Sequence, residues 1–262
     1  MYRCRHTDHT SARFRTLGGS HDRNNIRPLG AKSPQMVSRS PWVHYPGRHR
    51  RQYAACSVAA INIAISGELT EDVPDCMSLI IGNWIIPIQD GITSEMRNSE
   101  RWKKALVRVA GTGRNHERER LDMLFDWLWE TVLPSIQPLA DKHGFGEQWQ
   151  CMCTTHLIKA SCAASDASVG DDAAAAASHT AMAIECVASP EYPTANAATH
   201  VSMAATYVAS ATYCAKYLTN ESKRKVNLTT HMAKAGKVDD AWELCDPIGL
   251  LERLIDVGGV HA

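Results

Sequence analysis

The chain has 262 residues, 44% of them hydrophobic, and its 28 Lys and Arg balance 28 Asp and Glu. That is enough apolar material for one large core, and no run approaches the ~18 apolar residues that a membrane span needs. The balance hides a split. Residues 1–40 hold eight Lys and Arg against two acids, and the rest hold twenty against twenty-six. A mildly acidic body gives no electrostatic reason to expect a nucleic-acid partner, except weakly through the basic tail.

Residues 1–40, rich in Arg, Ser, Gly, Asn and His and without any apolar period, read as a disordered basic tail. Met36 stands just ahead of the first ordered-looking sequence and is an alternative start. Residues 41–262 read as a single all-α domain. The N-terminus lacks the apolar central region of a secretion signal, so a cytoplasmic location is expected. The nine cysteines are odd in number and scattered. They are expected as thiols rather than as a disulfide framework.

From Gln52 onward helical patterns follow one another. "RQYAACSVAAINIAIS" is a first helix, stopped by Gly67. Asp75 is the expected N-cap of "CMSLIIGNWIIPIQD", which Pro87 should end or kink. Ser94 opens "EMRNSERWKKALVRVA", stopped at Gly111. Residues 117–133 form the strongest helix, with Leu121, Leu124, Phe125, Leu128 and Val132 on one stripe. Trp127 and Met123 lie nearly opposite, so this helix is expected at the centre. Further helices are expected near 147–164, 171–188, 194–218, 237–245 and 247–257. Asp246 and Pro247 form a capping pair for the last. The fold class is therefore an all-α array of about seven to nine helices with an alanine-rich middle.

That middle is the most unusual stretch. From 160 to 215, twenty of fifty-six residues are alanine. Alanine has the best helix propensity, and small side chains let helix axes approach closely. Tightly stacked helices are expected there. On residues 194–218, His200, Met203, Tyr207, Ala211, Cys214 and Leu218 share an apolar face, with Ser202, Thr206, Ser210, Tyr213 and Lys216 opposite.

The segments "CSVAAINIAISGELTEDVPDCMSLIIGNWI", "ALVRVAGTGRNHERERLDMLFDWLWETVLPSI" and "WELCDPIGLLERLIDV" resemble a group of alanine-rich, all-helical bacterial and phage-encoded proteins with no established activity. The shared features are a Cys-bearing first helix, an Asp-Trp-Leu helix, alanine-rich repeats and an Asp-Pro…Leu-Leu-x-Arg-Leu-Ile end. The resemblance spans about residues 48–257. This chain departs from the group in lacking regular Trp, Arg and Asp repeats in its alanine region. "VLPSIQP" with the alanine helices is also similar to helical immunity-like proteins. The shared motifs are structural rather than catalytic, so the resemblances imply a helical fold and no activity; no cofactor is expected.

The candidate chemistry is sparse. Cys151, Cys153 and His156 sit within six residues, but the usual zinc knuckle spaces its cysteines by two to four residues and has a second such pair. On a helix these two thiols point about 200° apart. They are weak metal candidates, and no metal is expected. "GTGR" at 111–114 lacks the glycines and lysine of a phosphate loop and reads as a helix stop. Glu119, Asp122, Asp126 and Glu130 share one helix face, read as solvated or paired with Arg118 and Lys103. His179, His200 and His231 stand in or beside the alanine region, but no nucleophile elbow accompanies them. Trp127 and Met123 are the interaction candidates, with core packing as the competing use of the tryptophan.

Two functions remain open. The first is an interaction protein that binds another protein or itself. The second is an enzyme, such as a hydrolase, with a His/Cys/Glu site among helices 151–231. A polar pocket joining two or more of His156, His179, His200 and Glu185 would favour the enzyme. The weight of the residues falls on the interaction protein.

Overall fold

The computed structural model describes residues 56–168, 171–189, 193–217 and 239–258. The basic tail, Met36, His231 and the expected first turn at 51–55 lie outside these. The described chain is helical throughout, with no strand among the described residues. No described helix is long and apolar enough to cross a membrane.

Helix α1 (Ser57–Ser66) begins where the Cys56 sulfur accepts from the Ala59 N–H, and it stops at Gly67, whose φ of 79° suits a residue without a Cβ. Helix α2 (Leu79–Gly91) is capped by Ser78, not by Asp75. The Ser78 hydroxyl accepts from the Ile81 N–H, and the Glu117 carboxylate accepts from Leu79 N, Ile80 N and Ser78 Oγ. A carboxylate at a helix N-terminus satisfies orphan donors and complements the dipole. Asp75 lies exposed in the preceding turn. Helix α2 runs on through Pro87 to Gly91.

The single helix expected after Ser94 is two. Helix α3 (Ser94–Asn98) is capped by Thr93 and α4 (Glu100–Val109) by Ser99, each hydroxyl accepting the N–H three residues on. Ser99 in extended backbone ends one helix and starts the next.

Helix α5 (Glu117–Trp127) widens into one π turn (Leu128–Val132) and tightens into a 3-10 turn (Leu133–Ile136) before α6 (Gln137–His143). Pro134 has no N–H for the Glu130 carbonyl, so the ladder is re-spaced around it. The helix expected at 147–164 is also two, α7 (Gly146–Thr155) and α8 (Ile158–Ala167). His156 breaks it, with φ of 55° and a ring stacked 4.4 Å from that of Trp129. The long α9 (Asp171–Ala188) and α10 (Thr194–Tyr217) follow, then α11 (Asp239–Cys245) and α12 (Pro247–Asp256). Asp246 caps α12 by accepting from Gly249 N, with Pro247 in the first turn, as expected.

One core cluster runs through these helices. Its bulky part holds Trp84, Trp102, Trp149, Trp242 and Ile80, Ile81, Ile85 and Ile88 of α2, all buried. Its other part is small: Ala176, Ala177 and Ala183 of α9 against Ala197, Ala204 and Ala205 of α10. Helix α10 packs on α9 and on α2. A Cβ added at Gly91 would stand 2.9 Å from the Thr206 hydroxyl, which shows how close α2 and α10 come.

This double packing changes the reading of α10. The face that seemed polar is buried at Ser202 and Ser210, while His200, Met203, Tyr207 and Cys214 are only half-buried. The hydroxyls go inside because they are satisfied there. Ser202 donates to Thr199 O, Thr206 to Ser202 O and Ser210 to Asp172. Ala211 is buried, as its face required.

Candidate functional site

The polar groups that converge lie along the α9–α10 seam. Each imidazole flanks a ridge of alanines. Ala176 and Ala183 stand one turn either side of His179, and Ala197 and Ala204 one turn either side of His200. All four alanines are fully buried. When the two ridges meet, the histidines at their margins meet as well. The helices are antiparallel: seven residues back from His179 on α9, Asp172 meets Ser210, ten residues forward from His200 on α10.

His179 Nδ1 lies 3.1 Å from His200 Nδ1, with ring centroids 5.3 Å apart. Tyr207 also stacks on His179, with ring centroids 5.4 Å apart and an interplanar angle of 12°. Burial pushes the His179 pKa down to about 4, and the neighbouring His200 pushes the same way. Burial lowers His200 too. Both rings are therefore neutral at pH 7. One ring carries its proton at Nδ1 and donates to the bare Nδ1 of the other.

Further along the seam the Asp172 carboxylate accepts from Ser210 Oγ at 2.9 Å and Cys214 Sγ at 3.6 Å. Burial raises its pKa against the lowering effect of these two bonds. On the other side of α9, Ser165 and Ser178 share a hydrogen bond of 2.8 Å that joins α8 to α9. The serines nearest the imidazoles are thus engaged elsewhere: Ser178 with Ser165, Ser202 with Thr199 and Ser210 with Asp172.

The other expected sites separate. Glu185 is exposed. His156 belongs to the α7–α8 break, with Nε2 2.9 Å from Cys153 O. Cys153 packs against the core, where burial pushes its pKa up to about 12, while Cys151 is exposed. Among the described residues no three His, Cys, Asp or Glu side chains are grouped to hold a metal. Trp127, read as an interaction anchor, is buried. Its indole N–H donates to Cys245 O at 2.6 Å, and it meets Trp84 edge to face. Met123 is half-buried against the same core. On the acidic face Glu119 pairs with His116 and Asp122 with Arg118, while Lys103 pairs with Glu100 instead.

The loop containing "GTGR" has an occupant that sequence reasoning missed. Arg120 is 1% exposed. Its guanidinium donates to the carbonyls of Thr112, Gly113 and Asn115 and, across the fold, to those of Leu254 and Val257. A planar fork with five donors suits such a ring of acceptors. A signal was present, because Arg120 lies one turn before Leu124 on a helix expected at the centre of the fold.

No family model, no curated protein and no solved structure matches this chain. The resemblances drawn from the sequence rest on the quoted motifs alone.

Proposed function

We propose that the chain is a helical protein-docking module of the cytoplasm, in the bacterial or phage setting that its motifs imply, and that its first partner is a second copy of itself. The observation that carries this reading is an apolar margin at one end of the α8–α9 hairpin. Leu157 is 58% exposed and Met182 44%, with Ile158 and Val187 also exposed. The Ser165–Ser178 bond sets the hairpin register. By that register Ser161 is level with Met182 one turn on, and Ile158 with Glu185 two turns on, so Leu157, Ile158, Met182 and Val187 lie toward the same end. Clustered large apolar side chains mark contact surfaces more often than scattered ones do. A net formal charge of zero sets up no long-range repulsion between copies.

Sedimentation velocity over a concentration series tests this. A reversible dimer is expected, and the double variant Leu157→Glu, Ile158→Lys should run as a monomer with an unchanged melting temperature. A chain that is monomeric at every concentration would remove self-association, and a partner of another sequence would then be sought on the same margin.

The enzyme reading retains one favouring observation, the meeting of His179 and His200. Its weakness is that the neighbouring serines are hydrogen-bonded elsewhere.

A further inference from the structure

We propose that His179, Met182, His200 and Met203 form a binding site for a soft monovalent cation of the copper(I) class across the α9–α10 seam. The first argument is the spacing of the nitrogens. Imidazole–metal bonds are about 2.0–2.1 Å long, so two nitrogens held 3.1 Å apart subtend roughly 100° at a shared ion, close to a tetrahedral angle. The two nitrogens are thus within reach of one ion, which would take the place of the proton they share, and Tyr207 stacks on the His179 ring.

The second argument is a repeat of pattern. Met182 follows His179 by three residues and Met203 follows His200 by three. A residue three positions on lies next to the first on the same helix surface. Because the helices run antiparallel, the two His-x-x-Met units are related by an approximate two-fold axis through the imidazole pair. Long side chains on a helix lean back toward its N-terminus, and this brings each thioether toward the level of its own histidine. The alanines on the inner side are fully buried, and Met182 and Met203 stand outside them, exposed and half-buried respectively. Two imidazoles with two thioethers form a soft donor set with no net charge, the kind that selects copper(I) over magnesium or calcium.

The ion would replace the proton between the two Nδ1 atoms. That proton reappears at Nε2 of the same ring, so binding releases none.

Silver(I) serves as the redox-inert probe, added to the full chain in excess over its nine thiols. The readout is nitrogen NMR of histidine-labelled protein, which thiol binding does not move. The Nδ1 resonances of both His179 and His200 should shift on silver binding. In the double variant Met182→Leu, Met203→Leu the silver concentration for half-shift should rise roughly tenfold or more, with the helical signal and melting temperature retained. His179→Ala should remove the His200 shift. Magnesium(II) at the same concentrations should move neither nitrogen. Unmoved Nδ1 resonances would overturn the site, and so would an unchanged half-shift in the leucine variant.

Discussion

Between α2 and α5 the interior is filled by Trp84, Ile85, Leu124 and Trp127; between α9 and α10 it is filled by Ala176, Ala183, Ala197 and Ala204. The first region is thick, and several of its polar groups are fixed by bonds to the backbone: Trp127 to Cys245, Trp242 to Gly91 and Arg120 to five carbonyls. The second is thin. Its helices approach so closely that side chains at the margin meet each other, as His179 meets His200 and Asp172 meets Ser210. Bulk gives the first region its stability, and the lack of bulk gives the second its polar chemistry. The candidate site stands where the core is shallowest.

The sharpest way to break the comparison is Arg120→Ala. It removes five donors at once and leaves buried carbonyls unmatched. We expect a loss of roughly 3–5 kcal/mol, read as a lower midpoint in urea melts. A loss below about 1 kcal/mol would show that the bulky region does not depend on this clasp.

Acid should act on the thin region instead. His179 has a folded pKa of about 4, below its unfolded value near 6.5. The unfolded chain therefore binds more protons between these values, and stability must fall as pH drops from about 6.5 toward about 4. The slope from His179 is at most ~1.4 kcal/mol per pH unit, and His200 acts in the same direction. His179→Gln should flatten stability against pH in that window. An equal slope in wild type and variant would place the titration elsewhere.

Overpacking tests the thinness itself. Ala205 is buried on α10, and Ala205→Leu should lose about 1–3 kcal/mol as measured by thermal melting. A smaller loss, ~0.5–2 kcal/mol, is expected for Glu117→Ala, which uncaps α2; hydrogen exchange should quicken first at Leu79 and Ile80.

The helical class was legible because apolar stripes at helical spacing run from end to end, and because Gly67 and Asp246–Pro247 punctuate helices by local chemistry alone. The cap of α2 was misread. Asp75 is the stronger capping residue by type, but Ser78 stands directly before the apolar face and Glu117 reaches it from 37 to 39 residues away. The break at His156 depends on Trp129, a contact that local sequence does not contain. Both seam histidines were visible as candidates. Their meeting was not, because it depends on the register between α9 and α10, and runs of near-identical alanines specify register weakly. Trp127 was visible too, and the apolar residues on two faces of its helix already argued for a central place; its use as an interaction anchor ran against that reading, and the burial of Trp127 settles it for packing.

The Arg120 clasp also bears on the order in which the chain is made. Two of its five acceptors lie 134 and 137 residues further on. During synthesis α5 leaves the ribosome long before α12 exists, so its guanidinium waits without those carbonyls. The α8–α9–α10 array joins neighbours and closes short loops, which is fast. The thin region should thus form while the bulky one is still open, and the bulky one should set only with its last helix. A chain stalled ahead of Pro247 should resist proteolysis across α9 and α10 while remaining cleavable in the 111–116 loop; equal protection in both would refute that order.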